Sequence, residues 1–579
     1  MTNWLKVFLL LFALGLLVYF NSLNNKFLVD DYFFINNPVF SQTKYILSQW
    51  DPYSQQSMGV VDKEQRVPSY RPMAQITYDL SYSTFKNHRW QYHLLNLFLF
   101  VLASSLIYLF IETLTGNFNL AFLTGLFYLI HPINGIIVNY ISASVFAFQL
   151  ICMLGTMLLL WRSLDKNNQM GAYFLSLTLS VLSLFWHESG VMTFFYLSAA
   201  VLLFRKEPLK EKLIYLFPYF LILFCYLIFR FNFLGINDFP VERMFYHMNA
   251  GVYLSSLFKV DVWYISKLFY PQGIVMQWAT PLVSQHLFLN TAGALLLGLF
   301  FILLFVKFSK NNVCQLALSW FFIGLIPVCL AAFRLTDKGA MIEPHWFIFS
   351  SIGFFILVAN ACLGLGKQWK NAGIAVVLIL IVGWSLISHA YNRLWFDEKT
   401  YALYWLQEAP FIRTTYSDLA YAYELEGDFK RSKAALLMAL TGRSLDALVY
   451  DDLGSNAESA GDLEGAKVYF NKALKINPYL SSAYDNLARV YFTEGQWDES
   501  EENCRRALML NPLLTKPRTA MAWIALKHGD EKKAIALCLK NLEIDPHDLQ
   551  TLFLLVRIYK HQNDLAGVQK YELQILKAR

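Results

Sequence analysis

Residues 171–204 read GAYFLSLTLSVLSLFWHESGVMTFFYLSAAVLLF, and Glu188, with His187 beside it, is the one acidic or basic position in that stretch. A single helix of that length would run to about 50 Å at 1.5 Å per residue, well beyond the ~30 Å of bilayer hydrocarbon. The segment therefore has to be two membrane-crossing helices joined by a tight turn at His187-Glu188-Ser189-Gly190. A carboxylate held between two apolar helices is costly without a partner. The same turn thus predicts a polytopic helical membrane protein and supplies a first candidate functional residue.

The same ruler, applied outward, predicts eleven spans: 4–20, 93–113, 119–138, 143–161, 171–187, 190–204, 213–229, 287–306, 313–333, 346–366 and 371–389. Composition agrees, with 56% hydrophobic, 17% aromatic and 16% charged residues against about a quarter charged in soluble chains. The first span lacks a small-residue cleavage site and is expected to be a retained anchor. Residues 250–270 are apolar but interrupted by Lys259, Asp261 and Lys267, which predicts an interfacial segment. A net charge of +6 is accounted for by Lys and Arg in short loops, so nothing points to nucleic acid. The seven Cys include no CxxC pair and are expected to be buried small apolar residues, with no metal site.

Lysine and arginine set the expected orientation. With the N-terminus cytoplasmic, Lys6, Arg162, Lys166, Arg205, Lys206, Lys210, Lys212, Lys307, Lys310, Lys367 and Lys370 fall on the inner side. The opposite loops hold the poorer set Arg230, Arg243, Lys259, Lys267, Arg334 and Lys338. An odd number of spans then sends the C-terminal third to the extracytoplasmic side.

That third is repetitive. Gly427, Gly461, Gly495 and Gly529 recur every 34 residues, as do the Asn-Pro or Asp-Pro pairs at 477–478, 511–512 and 545–546 and the small residues Ala439, Ala473 and Ala507. Glycine ends one helix in a left-handed conformation, proline helps open the next, and small residues let paired helices approach. The expectation is an all-α chain. A multi-span membrane domain over 1–390, with a first extracytoplasmic loop at 21–92, is followed by a connector at 391–409 and about five tetratricopeptide-type repeats over 410–579. Such repeats offer a groove for a peptide or partner protein and carry no chemistry themselves.

The polar residues that are costly near a bilayer fall mostly on the outer side of this topology: Asp30 and Asp31 after the first span, Arg71 before Pro72, His93 and Asn96 one turn apart, His131-Pro132, His187-Glu188, and Glu343-Pro344-His345. Arg334 joins them from the loop before Glu343. A carboxylate can take the proton of an acceptor hydroxyl while Arg or His stabilises a departing phosphate. A lipid-linked phosphosugar, with its chain in the bilayer and its head group at the height of these loops, fits that chemistry. One base and no separate covalent nucleophile predict inversion at the anomeric carbon. The bland readings are that the acids are a solvated cap, His131-Pro132 a helix stop, and Arg71 a residue held among phospholipid head groups.

The fragments Phe27-Leu-Val-Asp30-Asp31, Tyr70-Arg71-Pro72, His93-Leu-Leu-Asn96-Leu, His131-Pro132 and His187-Glu188-Ser-Gly190, ordered ahead of tandem repeats, resemble the transmembrane and tetratricopeptide-repeat O-mannosyltransferases (the TMTC family) within the GT-C glycosyltransferases. The resemblance implies Asp30 or Asp31 as catalytic base, the other orienting acceptor, phosphate or a divalent ion. It also implies a dolichyl- or undecaprenyl-phosphate sugar as donor, with no further cofactor required. Arg71, His93, Asn96, His131, His187, Glu188, Arg334, Glu343 and His345 are the expected donor- and substrate-binding residues. His187 stands where the family often has Lys, and Glu343-Pro344-His345-Trp346 where it more often has Glu-Arg before an aromatic.

The reading is an inverting transferase acting on a hydroxyl, such as a protein Ser or Thr, in a bacterial inner membrane. Two rivals stay open. A non-catalytic scaffold of cell-envelope assembly would use the repeats to recruit partners, and an oligosaccharide ligase would place its large loop late in the membrane domain. A transporter fits least, because no charged or broken pair sits mid-span and no duplication of halves is apparent.

Overall fold

The apolar runs are helices in the computed structural model, which describes residues 2–28, 31, 71–165, 169–233, 250–280, 287–331, 340–410, 413–441 and 446–578. These fall into two units, divided between Ile412 and Arg413. The first comprises α1 (Thr2–Tyr19), α2 (Pro72–Phe85), α3 (Arg89–Thr115), α4 (Phe118–Ile130), α5 (Ser144–Asp165), α6 (Met170–Trp186), α7 (Met192–Phe204), α8 (Leu209–Phe233), α9 (Ala250–Phe269), α10 (Leu287–Lys307), α11 (Asn312–Ala331), α12 (Ser351–Gln368), α13 (Lys370–Leu394) and α14 (Glu398–Glu408). Among the described residues, seven helices are long and apolar enough to cross a bilayer, a bent pair beginning with α4 makes an eighth, and α6, α7 and α11 are shorter apolar helices. The eleven expected stretches thus lie on apolar helices. Helix α9, with Lys259, Asp261 and Lys267, is not among them. The departure from all-α structure is a pair of three-residue strands, β1 (Trp278–Thr280) and β2 (Ala340–Ile342), antiparallel with Trp278 opposite Ile342.

One expected span is corrected. Residues 119–138 are not a single straight helix: α4 stops at Ile130, His131 is extended (φ −76°, ψ 130°), and the chain bends by 60° into the segment Pro132–Asn139. Pro132 has no N–H to continue the ladder and its ring disfavours helical geometry at the preceding residue. The bend exposes main-chain groups inside an apolar bundle, and Asn139 Nδ2 answers one of them by donating to the Gly135 carbonyl at 3.0 Å. Asn25 Nδ2 donates to Asn139 Oδ1 at 3.2 Å and to the Asn392 carbonyl at 3.1 Å, and Asn139 Nδ2 donates to Asn392 Oδ1 at 2.8 Å. Amide-to-amide bonds of this kind tie the end of α1, the bend and the end of α13 together where dispersion alone would let helices slide.

The cysteine expectation holds at Cys152, Cys314, Cys362, Cys504 and Cys538, which are buried, and fails at Cys225, which is exposed on the outward face of α8. An apolar residue on a lipid-facing helix has no reason to turn inward. The side chain of Cys329 lies outside the described set.

Within the stretch expected as a connector, Asp397 caps α14 through the Thr400 N–H at 2.9 Å, and Tyr401, Ala402 and Trp405 are buried in the first unit. The second unit is five helical hairpins from Arg413 to Ala578. Gly427, Gly461, Gly495 and Gly529 take φ between 76° and 82°, the left-handed geometry that the 34-residue period predicts. Ala473 and Ala507 are fully buried between paired helices, and the missing side chain of Gly454 leaves room for the Phe470 ring.

Candidate active site

The turn between α6 and α7 is tight because two of its residues abandon helix geometry. His187 is extended (φ −160°, ψ 151°), and Glu188 opens a single 3-10 turn to Val191. Gly190 is required there, since a Cβ would run into the Ser183 carbonyl. The Ser189 N–H donates to His187 Nδ1 at 3.2 Å, so the neutral ring carries its proton on Nε2, which faces Glu188 Oε2 at 3.5 Å.

Glu188 has found the partners its position demands. Arg71, capping α2 just ahead of Pro72, brings Nη2 to 2.7 Å and Nε to 2.8 Å from Oε2. Arg230, from the last turns of α8, brings Nη2 to 3.1 Å from Oε1, and its Nη1 donates to Tyr226 Oη one turn earlier at 2.8 Å. Burial opposes ionisation of Glu188, but the guanidiniums of Arg71 and Arg230 outweigh it and hold its carboxyl well below the usual carboxylate range. Burial, reinforced by Arg71, pushes His187 well below the ordinary imidazole value, so that ring is neutral.

A second His–Glu pair lies close by. Glu343 follows β2 and opens the turn Pro344–Phe347, so that its Oε2 meets His345 Nε2 at 2.8 Å while its Oε1 accepts from Gln277 Nε2 at 2.9 Å. Burial works against the Glu343 charge; His345, Gln277 and Arg71 more than compensate and keep the carboxyl below its usual range. The Phe146 ring touches both imidazoles, with centroids 4.7 Å from His187 and 4.7 Å from His345. Among the described residues His345 Nδ1 is buried and has no hydrogen-bond partner. Gln277 is itself fixed by α14: Trp405 Nε1 donates to the Gln277 carbonyl at 2.7 Å, Tyr401 Oη accepts from the Met276 N–H at 2.7 Å, and Tyr404 Oη donates to the Ile274 carbonyl at 3.1 Å.

Asp31 is fully buried. Its Oδ1 accepts from the Ser142 N–H at 3.0 Å and from Ser142 Oγ at 2.8 Å, and its Oδ2 accepts from the Leu28 N–H at 3.3 Å. Three donors from two segments fix this carboxylate in place and tie residue 31 to the turn at Ser142. His93, Asn96 and His131 serve main-chain carbonyls. His93 Nδ1 meets Val138 O at 2.9 Å, and Asn96 Nδ2 donates to Ile137, Tyr140 and Ile141 carbonyls at 2.8, 3.2 and 3.2 Å. His131 Nε2 meets Leu268 O at 3.1 Å. They shape the bend that leads into Ser142, and their hydrogen bonds do not run to the Glu188 cluster. Asp30 and Arg334 lie outside the described residues. Among the described residues no three His, Cys, Asp or Glu side chains are grouped to hold a metal.

Arg230, Gln277, Ser142 and Phe146 were not singled out from the sequence as site residues. A signal existed for one of them: Glu188 needs a cation, and Arg230 ends the apolar helix that follows the α6–α7 hairpin.

Comparison with known proteins bears on both units. Residues 447–479 and 481–512 match the tetratricopeptide repeat model. Over 398 residues the chain is 22% identical to a protein O-mannosyl-transferase of Caenorhabditis elegans, a match covering 66% of this chain and 55% of that protein. The chain thus spans about half the length of this curated relative. The likeness supports the resemblance to the transmembrane and tetratricopeptide-repeat O-mannosyltransferases drawn from the motifs. Solved structures similar in part include Pseudomonas aeruginosa PilF (18% identity, 38% of this chain and 90% of that one, TM-score 0.28) and MamA from Desulfovibrio magneticus RS-1 (16% identity, 29% and 94%, TM-score 0.25).

Proposed function

We propose that this chain is an inverting glycosyltransferase that moves a sugar from a polyprenyl-phosphate donor to a hydroxyl acceptor at the extracytoplasmic face of a bacterial inner membrane. The observation that carries the reading is the pair of guanidiniums, Arg71 and Arg230, locked onto one carboxylate, Glu188, at the meeting of apolar helices. Guanidinium presents five N–H donors in a plane, and the Arg71 contacts to Glu188 engage only its Nε and Nη2. A phosphate arriving with its lipid tail between the helices would meet preset donors, which is the arrangement that lowers the barrier to phosphate departure.

The base is assigned to Asp30, because Asp31 already receives three hydrogen bonds and suits the role of fixing the loop that carries both acids. His93 and Asn96 support that loop from behind by holding the bend that leads into Ser142. Mannose is the first sugar to test, given what the worm relative's name says of that protein. The repeats would receive a protein or peptide acceptor in the same compartment, a placement supported by the Lys and Arg distribution.

The test is reconstitution of the full chain in nanodiscs with undecaprenyl phosphomannose and a Ser/Thr-rich peptide. Transfer with inverted anomeric configuration, and none from a nucleotide-linked mannose, is expected. Transfer from the nucleotide sugar alone would overturn the reading.

A further inference from the structure

We propose that His345 is the acid of this site: its Nδ1 meets the phosphate of the departing polyprenyl group and gives it a proton as the bond to the sugar breaks. This rests on the transferase reading above and names a residue and an atom for the leaving-group side of it.

The ring is prepared for that task by its surroundings. Glu343 accepts from Nε2 at 2.8 Å, which fixes the ring plane, and Gln277 fixes Glu343 in turn. Phe146 lies against one side of the ring at 4.7 Å between centroids and Tyr140 stands at 6.5 Å. The imidazole therefore has one polar atom left, Nδ1, and among the described residues it is buried without a partner, in a side chain only 8% exposed. A buried polar atom left unpaired is destabilising. A ligand oxygen at Nδ1 would remove that cost.

The neighbouring groups single out His345 over His187. Among the described residues, five charged or imidazole groups stand around the ring, besides the Tyr140 phenol: Glu343 on its own turn, His187 across Phe146 from the α6–α7 turn, Arg71 from α2 beside Glu343, and Glu188 and Arg230 behind His187. His187 has its carboxylate at 3.5 Å and its Nδ1 occupied by the Ser189 N–H and hydroxyl. With burial and two guanidiniums nearby it is held neutral, and its one N–H, on Nε2, already faces Glu188. His345 has a carboxylate at full hydrogen-bonding distance and an open nitrogen.

The step balances without a co-reactant. The acceptor oxygen bonds to the anomeric carbon, and its proton goes to the aspartate. The bond from that carbon to the phosphate oxygen breaks with its electron pair on the phosphate, and the Nδ1 proton of His345 moves to the phosphate. The products are the glycoside, a polyprenyl hydrogen phosphate, a neutral imidazole and a protonated aspartate; water returns the proton from acid to imidazole. Glu343 and Gln277 are positioning residues in this scheme.

The experiment measures binding of undecaprenyl phosphate to the full chain in nanodiscs between pH 5.5 and 8.5, beside turnover with undecaprenyl phosphomannose. The lipid's own ionisation is common to all variants, so the reading is the difference between them. As pH rises, affinity in the native chain should fall by about tenfold more than in His345→Gln, the worth of one charge-assisted hydrogen bond. Turnover of His345→Gln should fall roughly a hundredfold and lose its alkaline limb. Glu343→Gln should move that limb, because it removes the carboxylate that Nε2 faces at 2.8 Å. Millimolar inorganic phosphate should not compete; competition equal to that of the lipid would overturn the polyprenyl assignment. The inference is overturned if His345→Gln, with an unchanged melting curve, keeps the native pH step, or, should that variant not fold, if Glu343→Gln leaves the limb in place. Normal transfer with such a result would sink this inference alone, whereas no lipid binding and no transfer by the native chain would sink the transferase reading with it.

Discussion

Arg71 closes on Glu188 with two of its nitrogens, Nε at 2.8 Å and Nη2 at 2.7 Å, both on the same carboxylate oxygen, and leaves the other oxygen to Arg230. The division is geometric: a planar fork grips one oxygen edge-on, and a lysine ammonium cannot reproduce that. Arg71→Lys and Arg230→Lys are each expected to raise the KM for a polyprenyl-phosphate donor about tenfold, an energy near 1.4 kcal/mol. The double variant should lose less than the product of the two, because both act through Glu188. A double-variant cycle on KM checks this, and strict multiplicativity would remove the shared carboxylate from the explanation.

The two acids after the first span should separate by readout. Asp31→Asn turns one carboxylate oxygen into an N–H donor facing the donors of Leu28 or Ser142, and is expected to destabilise the chain by about 1–3 kcal/mol as well as lower activity. Asp30→Asn is expected to abolish transfer with an unchanged melting temperature. Thermal melts of both variants beside an activity assay decide; a stable Asp31→Asn would show that the Ser142 contacts contribute nothing.

Asp79, in α2, carries a pH dependence of stability. It is buried, with a long 3.4 Å contact from Gln75 Nε2, and burial pushes its pKa up to about 7. A carboxyl whose folded pKa exceeds its unfolded value, near 3.9, binds its proton more tightly when folded. Its contribution is therefore fully present below about pH 4 and is lost as pH rises through 7, by on the order of 4 kcal/mol at most. Asp79→Asn should flatten the fall in melting temperature between pH 5 and pH 8. An equally steep fall in the variant would place the titrating group elsewhere.

Gly190→Ala probes the α6–α7 turn. The added methyl meets the Ser183 carbonyl, so the turn must open and Glu188 must move away from its guanidiniums. A loss of about 1–3 kcal/mol is expected, with transfer falling further than stability. Ala at position 171, where nothing lies within 4 Å of a Cβ, is the matched control and should leave both unchanged.

The apolar runs and the 34-residue period were legible because each is a local statement: a helix long enough to cross hydrocarbon, or a glycine that must turn left-handed. The bend at His131 was half legible, since Pro132 announces a stop but not the 60° that follows. The pairing of Glu188 with Arg71 and Arg230 was not, because it joins three segments far apart in the chain and depends on which faces the helices present. Gln277 carried no signal at all; its part comes from main-chain bonds to Trp405 and a strand pairing that no periodicity reports. His93 and Asn96 illustrate the converse. They look like ligand-binding residues at the head of a span, and they bond to carbonyls freed by a broken helix.

Helix α14 changes where the chain can be cut. A membrane fragment ended at residue 390 would lack Tyr401, Tyr404 and Trp405, and residues 274–277 would lose all three anchors that hold Gln277 against Glu343. A fragment carried through Glu408 keeps them. Anyone expressing the membrane half alone should therefore find that eighteen further residues, which look like tether, decide between a competent preparation and an inert one.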